Sequence, residues 1–241
     1  MSINLEKYEQ QKKAVTISLE KKGINKPPIM RVAAAFDVSG STRNMYRDGH
    51  FEEAANRLMA IAGTFDDNGE MDMWSFDNRF NRLATAKVND YGSYVKREIL
   101  DNSEVHKWGL TSYAPVMTDM VDFFFKPHTE KKGGFLGFGS KSVQVAPENV
   151  DVPVLAMFIT DGVNDDKAAT ERLLKSVANR PIYWSLVGVG PGHQFDFLEK
   201  MADDLPNVGF VNLASLDVSD SVLYDQLICD ELIEFVRKFA K

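Results

Sequence analysis

From Val32 to Phe36 the chain runs apolar without a break, and then it stops on a carboxylate, Asp37. Such a run is the pattern of a strand covered on both faces of a sheet. Ser39 and Ser41 follow at two-residue spacing, with Gly40 between them. Alternate residues of an extended turn point the same way, so Asp37, Ser39 and Ser41 can converge on one point past the strand's carboxyl end. Three hard oxygens there suit a small hard cation such as magnesium. They equally suit a plain turn in which Ser and Asp bond neighbouring backbone amides.

The rest of the chain alternates strand and helix signals. Residues 1–29 stand apart as a charged, weakly amphipathic helical arm or linker, with Tyr8, Val15, Ile17 and Leu19 apolar and Pro27-Pro28 at its end. The first core strand spans about Arg31 to Phe36. Phe51, Ala54, Ala55, Leu58, Met59, Ala62 and Phe65 recur at helical spacing and end at the turn Asp66-Asp67-Asn68-Gly69. A strand is expected at Met71–Phe76, a turn at Asp77-Asn78, an edge strand at Phe80–Ala84 and a helix at Tyr91–Leu100. Thr111 precedes a helix that carries Pro115 in its first turn, the placement of an ordinary N-cap. Val154–Ile159 is a second continuous apolar strand, and it ends in Thr160-Asp161-Gly162. Asn164, Asp165 and Asp166 read as a solvated turn capping a helix over Lys167–Ala178. Further strands at Pro181–Val189 and Val208–Leu213 flank a short helix at Phe195–Met201. A long helix over Ser219–Phe239 turns Val222, Leu223, Leu227, Phe235 and Phe239 inward.

Residues 126–152 are long for a connection and read as an exposed insertion. Their Lys131–Lys141 segment is rich in glycine, but Ser140-Lys141 reverses the order that a phosphate-binding loop requires. Phe135 and Phe138 give this insertion the character of a contact surface.

Net charge is −7 over 241 residues, which argues against nucleic acid or an anionic membrane as main partner. The one cysteine, Cys229, allows no disulfide framework and fits a reducing compartment. No run reaches membrane-spanning length, and the N-terminus lacks the layout of a signal peptide. A cytoplasmic protein is therefore expected.

Alternating elements imply an α/β fold: a Rossmann-like, doubly wound, mainly parallel sheet with helices on both faces. Ligands bind such sheets beyond the strands' carboxyl ends, where strand order reverses. Three loops at that edge carry oxygen donors: Asp37-x-Ser39-x-Ser41, Thr111 and Asp161. In this order the residues resemble the metal-ion-dependent adhesion site (MIDAS) of von Willebrand factor type A (VWA) domains, over about residues 30–240. The chain is most similar to TerF-like VWA domains of bacterial tellurium-resistance and stress-response clusters. The similarity rests on Leu19-Glu-Lys-Lys-Gly23, Asp37-Val-Ser-Gly-Ser41 and Lys131-Lys-Gly-Gly-Phe-Leu-Gly-Phe138.

The resemblance implies a VWA domain over residues 30–241 and a bound divalent cation, magnesium first, with manganese or calcium as alternatives. Ser39 and Ser41 would bind it directly, Thr111 directly or through water, and Asp37 and Asp161 mostly through water. A helix after Ser41 would aim its N-terminus at the open position, and Thr42, Arg43, Asn44 and Tyr46 would line the rim. The implied activity is non-catalytic adhesion or scaffolding, in which a protein partner offers an Asp or Glu to the ion. A metal-dependent phosphoesterase and a structural subunit with an empty site are the alternatives. His50, His106, His128 and His193 show no metal-ligand spacing.

Overall fold

A computed structural model of the chain describes residues 3–126, 128–132, 141–145, 152–162, 164–189, 195–213 and 218–239. Its central sheet is built from β1 (Arg31–Asp37), β2 (Asp72–Phe76), β3 (Phe80–Arg82), β6 (Val154–Thr160), β7 (Ile182–Val189) and β8 (Val208–Leu213). Among the described residues the strand order is β3-β2-β1-β6-β7-β8. All neighbours are parallel except β3, which pairs antiparallel to β2 at one edge. The fold is the expected α/β one.

The two-residue period of each strand divides its side chains between two cores. Val32, Ala34 and Phe36 of β1 join a core with helices α1 (Ile3–Lys21), α3 (His50–Phe65), α7 (Asp220–Leu227) and α8 (Asp230–Phe239). Ala33 and Ala35 join another with α4 (Ala114–Phe125), α5 (Lys167–Ser176) and α6 (Asp196–Asp204). Both faces being covered, a β1 sequence with no polar residue between Arg31 and Asp37 is what the sheet requires. The chain runs from β1 outward through β2 to β3, then crosses back to place β6 on β1's other side. Strand order therefore reverses between β1 and β6, which leaves a crevice past their carboxyl ends.

The N-terminal arm is docked. Tyr8, Val15 and Leu19 are buried in the first core, whereas Ile17 is 43% exposed. Lys7 pairs with Glu53 at 2.9 Å, and Lys21 with Asp225 at 2.6 Å. Tyr8 approaches Gly63 so closely that a Cβ there would lie 1.9 Å from its hydroxyl.

Three expected helices come out differently. Instead of one helix after Ser41, a 3-10 turn (Gly40–Thr42) and the five-residue α2 (Arg43–Arg47) precede α3, with Gly49 at φ +83 between them. Of Tyr91–Leu100, only residues 94–100 are helical, and the Lys96–Leu100 part is a π-turn. Gly92 at φ +84 interrupts it, and the Glu52 carboxylate takes the amides of Val95 and Lys96. The C-terminal helix is two helices, α7 and α8, because Ile228 leaves helical geometry at ψ 60. Val222 is 45% exposed rather than inward, while Leu223, Leu227 and Phe235 are buried. Within the expected insertion, β4 (His128–Lys132) pairs antiparallel with β5 (Lys141–Val145). Phe135 and Phe138 lie outside the described residues.

Candidate metal centre

Asp37 ends β1 at the floor of the crevice, fully buried. Its Oδ1 accepts the Ser39 amide at 2.8 Å, and its Oδ2 accepts the Thr160 hydroxyl from the end of β6 at 2.6 Å. The β1–β6 pairing sets Phe36 opposite Ile159, so adjacent strands deliver Asp37 and Thr160 side by side. The Ser39 and Ser41 hydroxyls lie 3.2 Å apart, and Ser41 Oγ donates to Asp161 Oδ1 at 3.0 Å. Asp37, Ser39, Ser41 and Asp161 thus form one hydrogen-bonded string across two loops 120 residues apart in sequence. Ser39 is buried and Ser41 exposed, so the string climbs from the floor to the surface.

The Thr111 loop crosses the same edge, held by backbone bonds on both sides. The Trp108 amide donates to Val38 O at 2.6 Å, and the Gly40 amide to Gly109 O at 3.0 Å. On the far side the Asp165 amide donates to Thr111 O at 2.9 Å. This seats Thr111 between the Ser39–Ser41 loop and the Asp161–Asp166 loop. Its hydroxyl makes no hydrogen bond among the described residues, so the string of four does not include it. Nor does it cap α4, whose N-cap position is Tyr113.

Two carboxylates that sequence reading assigned to ordinary turns position this loop. Asp77, buried at the end of β2, accepts the Gly109 amide at 3.0 Å and His106 Nδ1 at 2.6 Å. Gly109 is required here, since a Cβ would stand 2.3 Å from Asn78 Oδ1 and 2.7 Å from Asp77 Oδ2. Asp166, expected to cap its own helix α5, instead accepts the amides of Tyr113 (3.0 Å) and Ala114 (2.8 Å) at the start of α4. Its Oδ1 also accepts from the side chain of buried Asn164 at 2.8 Å, so this turn is built into the site rather than solvated. Asp77, like Asp37, is a carboxylate at a strand's carboxyl end, but Asp72 and Ser75 interrupt the apolar run of β2 that would have marked it. Asp166 had no such signal, because its partners are about fifty residues away.

The expected rim needs correction. Thr42 is fully buried, and its hydroxyl donates to Ser39 O at 2.9 Å, bracing the loop from beneath. Tyr46 is 3% exposed and lies flat on Phe51. Neither lines a surface. Arg43 and Asn44 are exposed, and the Arg43 guanidinium sits 5.1 Å from the centroid of the Trp108 ring. Leu110, which no sequence signal marked, is 70% exposed beside Thr111.

The family comparison follows the same pattern. The chain matches the family model for the vWA found in the TerF C terminus over residues 29–138 and 140–241. The chain belongs to this vWA-TerF-like family. A curated Bacillus subtilis relative, "Uncharacterized protein YcbR", is 34% identical over 225 residues, covering 91% of this chain and 83% of its own length. Solved structures share the VWA fold at 12–14% identity. Mussel-byssus proximal thread matrix protein 1 superposes with a TM-score of 0.59 over 84% of this chain, and a form described as having a zinc-occupied MIDAS motif with 0.55. This chain spans about half the length of those mussel chains, 47–48%. Manganese-loaded TRAP protein of Plasmodium vivax gives 0.50, covering 85% of this chain and 74% of that one.

The residues of this TerF-like VWA domain fit a hard cation. No group of three or more His, Cys, Asp or Glu is gathered among the described residues, so the donor set depends on hydroxyls. Burial chiefly, and then the nearby Asp161 charge, push Asp37 up to about 6 despite its hydrogen bonds from Ser39 and Thr160. Burial raises Asp161 as well. Two carboxylates in one poorly solvated site hold negative charge that a divalent ion would compensate. The Tyr46 hydroxyl is buried with no hydrogen-bond partner among the described residues, and the charges of Asp37 and Asp161 both reach it. An orphaned polar atom in this position is a place for a ligand or its water.

Proposed function

We propose that this domain captures an acidic side chain of a partner protein through a divalent cation, without catalysing a reaction. The observation that carries the reading is the hydrogen-bonded string Asp37, Ser39, Ser41 and Asp161 at the strand-order reversal. Those residues, with Thr111, would hold magnesium, or manganese or calcium in its place. Magnesium favours near-octahedral oxygen coordination and keeps several waters. When bound it would supply a strong electrophile, because the direct ligands are neutral hydroxyls, and so a vacancy for an incoming carboxylate.

Exposed Arg43 and Leu110 border that vacancy, one for charge and one for apolar contact. The zinc and manganese of the mussel and Plasmodium structures support reading the site as a divalent one. Nothing around the serines resembles a nucleophile with its base: the two hydroxyls bond to each other and to Asp161, and among the described residues no histidine bonds either. His106 is held by Asp77 instead. Family membership supports a setting in a bacterial stress-response or tellurium-resistance system. No helix among the described residues is long and apolar enough to cross a membrane, and the single cysteine supports a cytoplasmic site of action.

Millimolar magnesium or manganese is expected to raise the melting temperature of the wild type but not of Ser39→Ala, since a ligand that binds only the folded state stabilises it. Partner capture is expected to need both the metal and Asp37. Retention that survives a chelator and Asp37→Ala alike would refute the proposal. So would metal-dependent turnover of a generic phosphoester that Asp37→Ala abolishes.

A further inference from the structure

Tyr46 belongs to α2, five positions beyond Ser41. Its ring stacks on Phe51 with centroids 4.1 Å apart and planes 2° from parallel. Trp108 meets it edge-on at 5.6 Å, and Phe51 in turn meets Phe36 of β1 at 5.6 Å. The ring is therefore held between Phe51 of α3, which itself packs on β1, and Trp108 of the loop that carries Thr111. A phenol gripped in this way cannot swing its hydroxyl out to water.

Four other buried tyrosines find partners: Tyr91 bonds Gln11, Tyr94 the carbonyl of Ala84, Tyr113 that of Gly162, and Tyr224 that of Arg57. The Tyr46 hydroxyl has none among the described residues. Burying a hydroxyl unpaired is unfavourable, and natural folds seldom leave one so without an occupant. The carboxylates whose charge reaches it are Asp37 and Asp161, the two ends of the string of oxygens. It bonds to neither.

We propose that the Tyr46 hydroxyl is a positioning residue of the cation site, holding a metal-coordinated water between itself and the Asp37 and Asp161 carboxylates. The hydroxyl both donates and accepts, so it can accept a hydrogen bond from such a water while a carboxylate accepts the water's second hydrogen. Partners beyond the direct ligands fix their orientation, and their loss usually weakens metal binding by about 10–100-fold. This inference rests on the metal-dependent reading above.

Tyr46→Phe keeps the ring and its stacking and removes only the oxygen. With manganese alone as the probe, electron paramagnetic resonance or calorimetric titration of the full chain gives the dissociation constant. Melting in chelator reports the metal-free fold. Tyr46→Phe is expected to bind manganese about tenfold more weakly, while its melting temperature in chelator equals or exceeds that of the wild type. That pairing separates a ligand-holding hydroxyl from a structural one. Wild-type affinity in Tyr46→Phe, with binding lost in Ser39→Ala, overturns this proposal and leaves the metal reading standing. A lowered melting temperature in chelator means the hydroxyl is already bonded in the metal-free fold, and also overturns it. No manganese binding by the wild type brings down both.

Discussion

Replacing Asp166 with alanine tests whether the third loop is held as the structure shows. The carboxylate accepts the Tyr113 and Ala114 amides at 3.0 and 2.8 Å, and the Asn164 side chain at 2.8 Å. Those two amides open α4, where the helix dipole favours an anion. Loss of a helix cap costs about 0.5–2 kcal/mol, and stranding a second half-buried amide adds on the order of 1 kcal/mol. A total of about 1.5–3 kcal/mol corresponds to a fall of roughly 3–12 °C in melting temperature for a domain of this size. Calorimetry in chelator at neutral pH measures it apart from any metal effect. The neighbouring Asp165 amide holds Thr111 O at 2.9 Å, so manganese affinity should fall too. A melting temperature within about 1 °C of wild type would refute the assignment, since two orphaned helix amides cannot be free of cost.

Gly109→Ala would drive a Cβ to 2.3 Å from Asn78 Oδ1, so the loop must shift away from Asp77. Manganese titration should then show binding weaker by about tenfold or more, and an unchanged constant would mean that the Asp77–Gly109 bond does not place Thr111. The third prediction concerns pH. Burial raises Asp37 from 3.8 to about 6, so between those values the metal-free native state binds more protons than the unfolded chain. Its favourable contribution is complete below 3.8 and is lost as pH climbs through about 6, a change of about 3 kcal/mol. Chemical denaturation in chelator should show Asp37→Asn losing less stability than wild type from pH 4 to 6.5, and parallel curves would contradict the burial of an ionised carboxylate.

Much of this architecture was legible from spacing. Val32–Phe36 and Val154–Ile159 read as doubly covered strands because each lacks a polar residue that one solvated face would require. The same logic put Asp37 and Asp161 at the carboxyl edge. Sequence position alone does not distinguish the buried Thr42 and Tyr46 from the rim, because a site's rim and its underside have the same sequence neighbours. Which one a residue joins depends on the short α2 and on Phe51 and Trp108, and Trp108 lies more than fifty residues on.

The residues alone determined the alternation of elements, the two cores of each strand and the acids that end them. These follow from short-range periodicity, which backbone geometry imposes on any chain. Only the tertiary structure decided that α1 is docked on α3, that Asp166 caps α4 rather than α5, and that Tyr46 is buried with its hydroxyl unpaired among the described residues. Each of those depends on contacts between distant segments. Their partners are chosen when the cores pack and backbone groups must find bonds, and no local pattern records that choice.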